Sequence, residues 1–299
     1  MLVHETLAFL RGGPGLYLDA TLGDGGHAEA LLLAEPEARL LGSDRDLGSL
    51  DFARERLARF GDRVTFAHGT FRDLPTAHAA AGGERFAGAL FDFGLSSAQI
   101  DDTSRGMSFT HDGPLDLRMD RSRGETLVEL LGRTDATELA SVLKQYGDVS
   151  GAPRMARSII AAVLAGEVRT TRQLAAVCAR VLGDASPKRI APVFQALRIW
   201  TNDEMADLEG ALDWLPSAIR DGGVVVTLAY HSGEDRRVKQ MLRGEARVVS
   251  RRLPELAGDA PVSPWEELTR KVVVPSEQES AVNPRARSAR LRAFRRKSR

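Results

Sequence analysis

The segment Gly15–His27, GLYLDATLGDGGH, joins a short apolar run to a turn rich in glycine. The apolar run ends on Asp19, and a helical pattern begins at Ala28. Between them lie three glycines, Gly23, Gly25 and Gly26. A second apolar run ends on Asp44. In a doubly wound sheet such glycines let a ligand approach the backbone, and a carboxylate ending the next strand binds ribose hydroxyls. The pattern predicts a nucleoside cofactor site, with a tight strand-to-helix turn without a ligand as the alternative.

The chemistry of this turn narrows the class of cofactor. It lacks the GxGxxG spacing typical of a pyrophosphate site, and the acidic Asp24 stands where a phosphate would be repelled. A cofactor with an adenosine end and no phosphates fits better, and S-adenosylmethionine is such a molecule. A dinucleotide oxidoreductase is disfavoured for the same reasons.

Composition predicts an ordinary globular protein. The chain has 299 residues, of which 43% are hydrophobic and 27% charged, enough for one large or two medium domains. No apolar run approaches the roughly 18 residues of a membrane span, and the N-terminus lacks the features of a signal peptide. The single cysteine, Cys178, excludes an internal disulfide and a cysteine-cluster metal site, and its helical spacing favours a buried apolar role. We expect a cytoplasmic protein with no metal and no membrane contact.

The zero net charge conceals a basic C-terminus. From Asn283 onward the chain holds eight Lys or Arg and no acid, which leaves 41 − 8 = 33 basic against 41 acidic residues elsewhere. An acidic body with a basic tail indicates a nucleic-acid partner, and a solvated, disordered tail is the alternative. Leu291 and Phe294 lie three residues apart, which suggests that part of this tail packs.

The pattern of elements predicts two domains. Strands and helices alternate over residues 1–100, as a parallel sheet requires. A polar segment without a clear period, Asp102–Arg123, is long for a structureless loop and indicates a functional one. Residues 125–214 then form helices, including a long pattern from Ala191 to Leu215. A buried strand over Val224–Leu228, a helix over Gly233–Glu245 and a closing strand near Thr269–Val274 complete the sheet.

The predicted architecture is therefore an α/β domain, formed by both ends of the chain and interrupted by an all-α insert. Its predicted boundaries are 1–108 and 215–299 for the α/β domain and 109–214 for the insert.

Seven motifs in a fixed order carry a resemblance to a known family: DATLGDGGH, GSDRD, FDFGLSSAQID, DGPLDLRMD, FQALRIWTNDE, YHSGEDRRVK and NPRARS. On these the chain resembles the bacterial family that methylates the N4 amino group of a cytidine in small-subunit ribosomal RNA with S-adenosylmethionine. The resemblance implies a Rossmann-like class I methyltransferase sheet with an inserted helical substrate domain. The substrate can be either naked RNA or the assembled small subunit, and a homodimer is one possible oligomeric state.

Seven residues are predicted to bind the cofactor: Gly25, Gly26, His27, Asp44, Phe71, Asp92 and Gln99. Backbone amides at the start of the helix after the first strand can meet the methionine carboxylate, while His27 either contacts the ligand or caps and packs. Asp44 can accept from both ribose hydroxyls, whereas Asp46 better fits a helix cap. Phe71 would be a core residue by pattern alone, and the resemblance favours packing on adenine. The resemblance also makes Asp92 and Gln99 cofactor contacts.

Three residues are predicted to be catalytic: Asp92, His231 and Asp116. Asp92 ends the fourth strand, where many amino-group methyltransferases begin an (Asn/Asp/Ser)-Pro-Pro-aromatic motif that is absent here. Its contact with the target amine is left open. Asp116 either lines the site of the target base or is a solvated turn charge, and His231 is a general base, a base-edge ligand or a core residue. Positioning can supply much of the acceleration, so no strong base is needed.

RNA binding is predicted for the insert and the tail together. The candidate contacts are Arg154, Arg157, Lys188 and Arg189 in the insert and Arg285, Arg287 and Arg290 in the tail. A non-catalytic RNA chaperone is an alternative function, and the presence of Asp92, Gln99 and His231 argues against it.

Overall fold

The computed structural model describes residues 1–244 and 263–298. Two compact units make up the chain: an α/β unit of Met1–Gly94 with Ala206–Arg299, and a helical unit of Leu95–Met205. The helical unit begins and ends earlier in the sequence than the predicted insert of 109–214. Glu245, the last residue of the helix predicted over Gly233–Glu245, lies outside the described residues.

A seven-stranded sheet in the order β3-β2-β1-β4-β5-β7-β6 forms the centre of the described part of the α/β unit. Its strands are β1 Gly15–Asp19, β2 Ala38–Asp44, β3 Val64–His68, β4 Phe86–Asp92, β5 Ile219–Ala229, β6 Trp265–Glu267 and β7 Arg290–Arg296. Strands β1 to β5 pair in parallel, and β7 is antiparallel to both β5 and β6. The predicted Rossmann-like sheet with an all-α insert is confirmed.

Helices flank this sheet and build the second unit. The α/β unit contains α1 Val3–Leu10, α2 Gly26–Ala34, α3 Leu47–Leu57, α4 Leu74–Ala80, α12 Ser232–Arg243 and α13 Glu277–Val282. The helical unit contains α5 Ser97–Asp101, α6 Leu127–Arg133, α7 Ala136–Gly147, α8 Ala152–Leu164, α9 Thr171–Leu182 and α10 Pro187–Thr201. Helix α11, Glu204–Ala218, starts in the helical unit and continues into the α/β unit.

The long helical pattern from Ala191 to Leu215 is two helices, α10 and α11, and not one. They separate at Asn202 and Asp203, where Asp203 has a left-handed φ of 48°. Cys178 is fully buried in the core of the helical unit, and burial raises the pKa of its thiol to about 12. Its predicted apolar role is confirmed.

The closing strand predicted near Thr269–Val274 is wrong. This stretch contributes a single antiparallel bridge, between Val273 and Leu291, and the sheet is closed by β7 and β6. The prediction failed because β7 is buried on both faces and includes two buried arginines, Arg292 and Arg296, so its sequence does not alternate between apolar and polar residues. Arg292 is 7% exposed, and its guanidinium is paired with Asp235 at 2.6 Å and with Glu267 at 3.0 Å.

The same finding corrects the view of the C-terminus as a disordered tail or a free RNA arm. Leu291, Ala293 and Phe294 of β7 are fully buried, as the spacing of Leu291 and Phe294 suggested. The basic C-terminus is therefore part of the core of the α/β unit. Across residues 1–244 and 263–298, the structure contains no helix with the length and apolar character needed to cross a membrane.

Candidate active site

Three neighbouring parallel strands each end on a carboxylate. Asp19, Asp44 and Asp92 are the last residues of β1, β2 and β4, whose carboxyl ends lie at the same edge of the sheet. Asp19 is 3% exposed. Its burial, together with the charges of Asp92 and Asp44, raises the pKa of Asp19 to about 7. This acidic edge favours a cationic ligand over one with phosphates, and ligands of open α/β sheets bind at this edge.

The glycine turn after β1 is joined to Asp44 by hydrogen bonds. The amides of Gly23 and Asp46 donate to the two oxygens of the Asp44 carboxylate, at 2.8 and 2.9 Å. Each carboxylate oxygen can accept more than one bond, so Asp44 keeps capacity for a ligand. Gly25 precedes α2 with φ 79°, a left-handed conformation that favours glycine. Asp46 accepts from the amide of Gly48 at 3.0 Å, which confirms it as the cap of α3.

His27 lies in the first turn of α2 and contacts the N-terminal residue. Its Nε2 is 2.9 Å from the carbonyl oxygen of Met1, and because a carbonyl only accepts, Nε2 carries the proton. Burial lowers the pKa of His27, so the ring is neutral at pH 7. A contact between His27 and the cofactor stays a prediction.

An aromatic cluster lies next to Arg45, the residue after Asp44. The half-buried Phe71, in the turn after β3, meets Phe91 edge-on at a centroid distance of 5.5 Å and Phe93 at 6.1 Å. The guanidinium carbon of Arg45 lies 5.8 Å from the Phe71 centroid, within cation–π range. Phe91 and Phe93 are buried, so Phe71 is the ring of this cluster that can offer an apolar face to a purine.

Asp92 is held by hydrogen bonds to Thr21 and Gly94. Its amide donates to Thr21 Oγ1 at 2.6 Å, and its carboxylate accepts from the amide of Gly94 at 3.2 Å. The Tyr230 side chain lies close to the same carboxylate, and burial, followed by the charge of Asp92, raises the pKa of Tyr230. Tyr230 is therefore protonated at neutral pH, and its hydroxyl donates to Met1 Sδ at 3.7 Å.

Tyr230 was missed in the sequence analysis, although it directly precedes His231. The signal is the glycine at position 94, because a Cβ there would lie 2.5 Å from the Tyr230 ring. Sequence alone does not show which ring this glycine admits.

His231 caps α12. Its Nδ1 accepts from the amide of Gly233 at 3.1 Å, and its Nε2 lies 2.9 Å from the carboxylate of Glu234. Glu234 also accepts from the amide of Tyr230 at 2.8 Å. Capping was not among the roles that the sequence predicted for His231, and its catalytic role stays a prediction.

Gln99 and Asp116 belong to the helical unit. The side-chain oxygen of Gln99 accepts from the amide of Ser96 at 3.0 Å and completes the capping box of α5. Asp116 is 5% exposed and bridges to Arg118 at 2.6 Å, and this contact raises the pKa of Arg118. Asp116 is thus a buried ion-pair partner and not a solvated turn charge. The roles predicted for both residues toward cofactor and base are not tested by these contacts.

Within residues 1–244 and 263–298, no group of three or more His, Cys, Asp or Glu side chains is arranged to hold a metal ion.

Comparison with known proteins identifies the family. The MraW methylase family model matches residues 1–297. The chain belongs to this methylase family. It is 45% identical to a ribosomal RNA small subunit methyltransferase H of Sorangium cellulosum (strain So ce56), over 99% of this chain and 90% of the relative. Proteins of the same name from Anaeromyxobacter sp. (strain Fw109-5) and Thermobifida fusca (strain YX) are 44% and 41% identical. The alignment with the first covers 98% of this chain and 96% of that relative. The alignment with the second covers 97% of this chain and 90% of that relative.

The acidic edge fits S-adenosylmethionine, the methyl donor of this methylase. That molecule carries a sulfonium and an ammonium charge, an adenosine and no phosphate. The carboxylates at this edge suit a molecule with positive charges, and the half-buried ring of Phe71 is available to a purine. A dinucleotide would bring two phosphates to the same carboxylates.

Proposed function

We propose that this methylase transfers a methyl group from S-adenosylmethionine to the N4 amino group of a cytidine in small-subunit ribosomal RNA. The observation that carries the proposal is the similarity, at 41–45% identity and over nearly the whole chain, to proteins named ribosomal RNA small subunit methyltransferase H. The acidic edge of the sheet supports it independently, because its charge suits a sulfonium donor. Ribosomal RNA as substrate implies a cytoplasmic enzyme.

Residues of the α/β unit hold the cofactor in this proposal. Asp44 accepts from the ribose hydroxyls through the lone pairs that Gly23 and Asp46 leave open. Phe71 packs against the adenine. The first amides of α2, from Gly26 onward, have no partner within the helix, so they can donate to the methionine carboxylate. When bound, the cofactor supplies the methyl group that is transferred.

Asp92 orients the acceptor amine. The lone pair of a cytosine amine is conjugated with the ring, so the nitrogen is a weak nucleophile. A hydrogen bond from the amine to the Asp92 carboxylate localises that lone pair and directs it at the methyl carbon. On taking up the methyl group that the cofactor would supply, the amine nitrogen would gain positive charge. Asp92 stabilises that charge and is the first acceptor for the proton released afterwards, while the amide of Gly94 holds the carboxylate in place.

Basic side chains of the helical unit contact the RNA backbone. Arg154 and Arg157 of α8, and Lys188 and Arg189 of α10, are all exposed. The target cytidine must be unpaired or turned outward to reach a strand-end site, so the flanking phosphates need such contacts. On the α/β unit, Arg285, Arg287 and Arg290 are exposed as well and remain candidates as residues of a folded surface.

A methylation assay with nucleoside analysis tests the proposal. The purified protein is incubated with isotope-labelled S-adenosylmethionine and either naked small-subunit RNA or assembled small subunits, and the digested RNA is analysed by mass spectrometry. Labelled N4-methylcytidine is expected from one of the two substrates. The variant Asp92→Asn should lose most activity, and Asp51→Asn, which changes an exposed acid on α3, should retain it. Label in another nucleoside, or in neither substrate, contradicts the proposal.

A further inference from the structure

A buried acid outside the predicted site joins the two loops that carry the adenosine contacts. Asp207 lies in the first turns of α11, and its side chain is only 3% exposed. One of its oxygens is 2.6 Å from the guanidinium of Arg45, and the other is 3.0 Å from that of Arg72. All three residues belong to the α/β unit.

The two arginines are direct neighbours of the proposed cofactor ligands. Arg45 follows Asp44 at the end of β2, and Arg72 follows Phe71 in the turn after β3. Arg45 also lies over the Phe71 ring, and its carbonyl oxygen accepts from His68 Nε2 at 3.1 Å. One carboxylate thereby links the end of β2, which carries Asp44, to the turn after β3, which carries Phe71.

We propose that Asp207 is a positioning residue for the adenosine half of the cofactor, acting through Arg45 and Arg72. The inference rests on the proposed use of Asp44 and Phe71 as adenosine contacts. Asp207 touches no reacting group, and its effect is to hold two loops in their binding geometry before the ligand arrives. Loops that are ordered in advance lose less entropy on binding. A carboxylate held between two guanidinium groups links the two loops firmly, because charge-assisted contacts are stronger than neutral hydrogen bonds.

This role predicts a specific kinetic pattern. Without the ion pairs of Asp207, part of the binding energy is used to order the two loops around the adenosine. The KM for S-adenosylmethionine and the Kd for S-adenosylhomocysteine should therefore both rise. At saturating cofactor the pocket is filled and Asp92 is undisturbed, so kcat should stay near that of the wild type. A residue needed only for folding would lower the active fraction and leave KM unchanged.

Calorimetric titration with S-adenosylhomocysteine tests the inference. We expect Asp207→Asn to bind roughly tenfold more weakly, equivalent to about 1.4 kcal/mol. Asp213→Asn, the same change at an exposed position of the same helix, is the matched control and should bind like the wild type. Arg45→Gln should weaken binding to a similar extent, and the double variant Arg45→Gln/Asp207→Asn should add little, because both changes remove the same contact between Arg45 and Asp207.

The outcomes separate this inference from the proposed function. If the wild type binds S-adenosylhomocysteine and Asp207→Asn binds it with the same affinity, the positioning role is refuted and the proposed function is not. Loss of kcat with unchanged KM overturns it as well. If Asp207→Asn does not fold, Arg72→Gln replaces it, since that side chain is half exposed, and unchanged affinity there overturns the inference. Failure of the wild type to bind S-adenosylhomocysteine contradicts the cofactor assignment itself.

Discussion

Replacing Phe294 with alanine should destabilise the α/β unit strongly, because this residue of the basic C-terminus is a core side chain. Phe294 is fully buried on β7 and lies opposite Val225 of β5. Complete burial of such a side chain contributes about 1.5–3 kcal/mol by transfer from water. The cavity left by truncation adds to this loss, so Phe294→Ala should cost about 3–5 kcal/mol of unfolding free energy.

Urea unfolding followed by tryptophan fluorescence measures this effect, since Trp214 and Trp265 lie in the α/β unit. The adjacent variant Arg295→Ala is the control. Arg295 is half exposed, and its partner Glu266 is 3.5 Å away and also exposed, so its loss should cost at most about 1 kcal/mol. If Phe294→Ala unfolds within about 1 kcal/mol of the wild type, the assignment of β7 to the core is refuted.

Three further predictions concern charge and binding. Burial raises the pKa of Asp19 from its ordinary value of 3.8 to about 7, so between these pH values the folded chain binds more protons than the unfolded one and stability falls as pH rises. Asp19→Asn should flatten that dependence by about 3 kcal/mol between pH 5 and pH 8, and a variant whose urea midpoints at these two pH values differ as much as those of the wild type would disprove the assignment. Asp44→Ala should weaken S-adenosylhomocysteine binding by about 1–3 kcal/mol in calorimetry, and unchanged affinity would remove Asp44 from the site. Arg154→Gln and Arg157→Gln should each lower the log–log salt slope of RNA binding by roughly 0.7; a slope equal to that of the wild type would exclude them as phosphate contacts.

The parallel half of the sheet could be predicted because its signals are local. Each strand from β1 to β4 is a short apolar run, and β1, β2 and β4 end on an aspartate. Asp46 was assigned as a cap from its position alone, and its hydrogen bond to Gly48 confirms this. Buried parallel strands and helix caps are specified by residues close together in sequence.

The C-terminal strand could not be predicted because its stability depends on distant residues. Arg292 is buried in β7 only because Asp235, 57 residues earlier, and Glu267 neutralise its charge. Pattern analysis counts such an arginine as exposed. The same limit applies to Asp207, whose partner Arg45 is 162 residues away in sequence, and to Tyr230, whose proximity to Asp92 follows from the pairing of β4 with β5.

The central claim is methylation of a cytidine N4 in small-subunit ribosomal RNA, and nucleoside mapping in cells tests it most directly. Small-subunit RNA is isolated from wild-type cells and from cells in which the gene has been deleted. It is also isolated from deleted cells that carry either the wild-type gene or the Asp92→Asn variant. Each RNA is mapped by mass spectrometry. The account predicts one N4-methylated cytidine that disappears with the gene, returns with the wild type and does not return with Asp92→Asn. An unchanged set of modified nucleosides after removal of the gene would contradict the account.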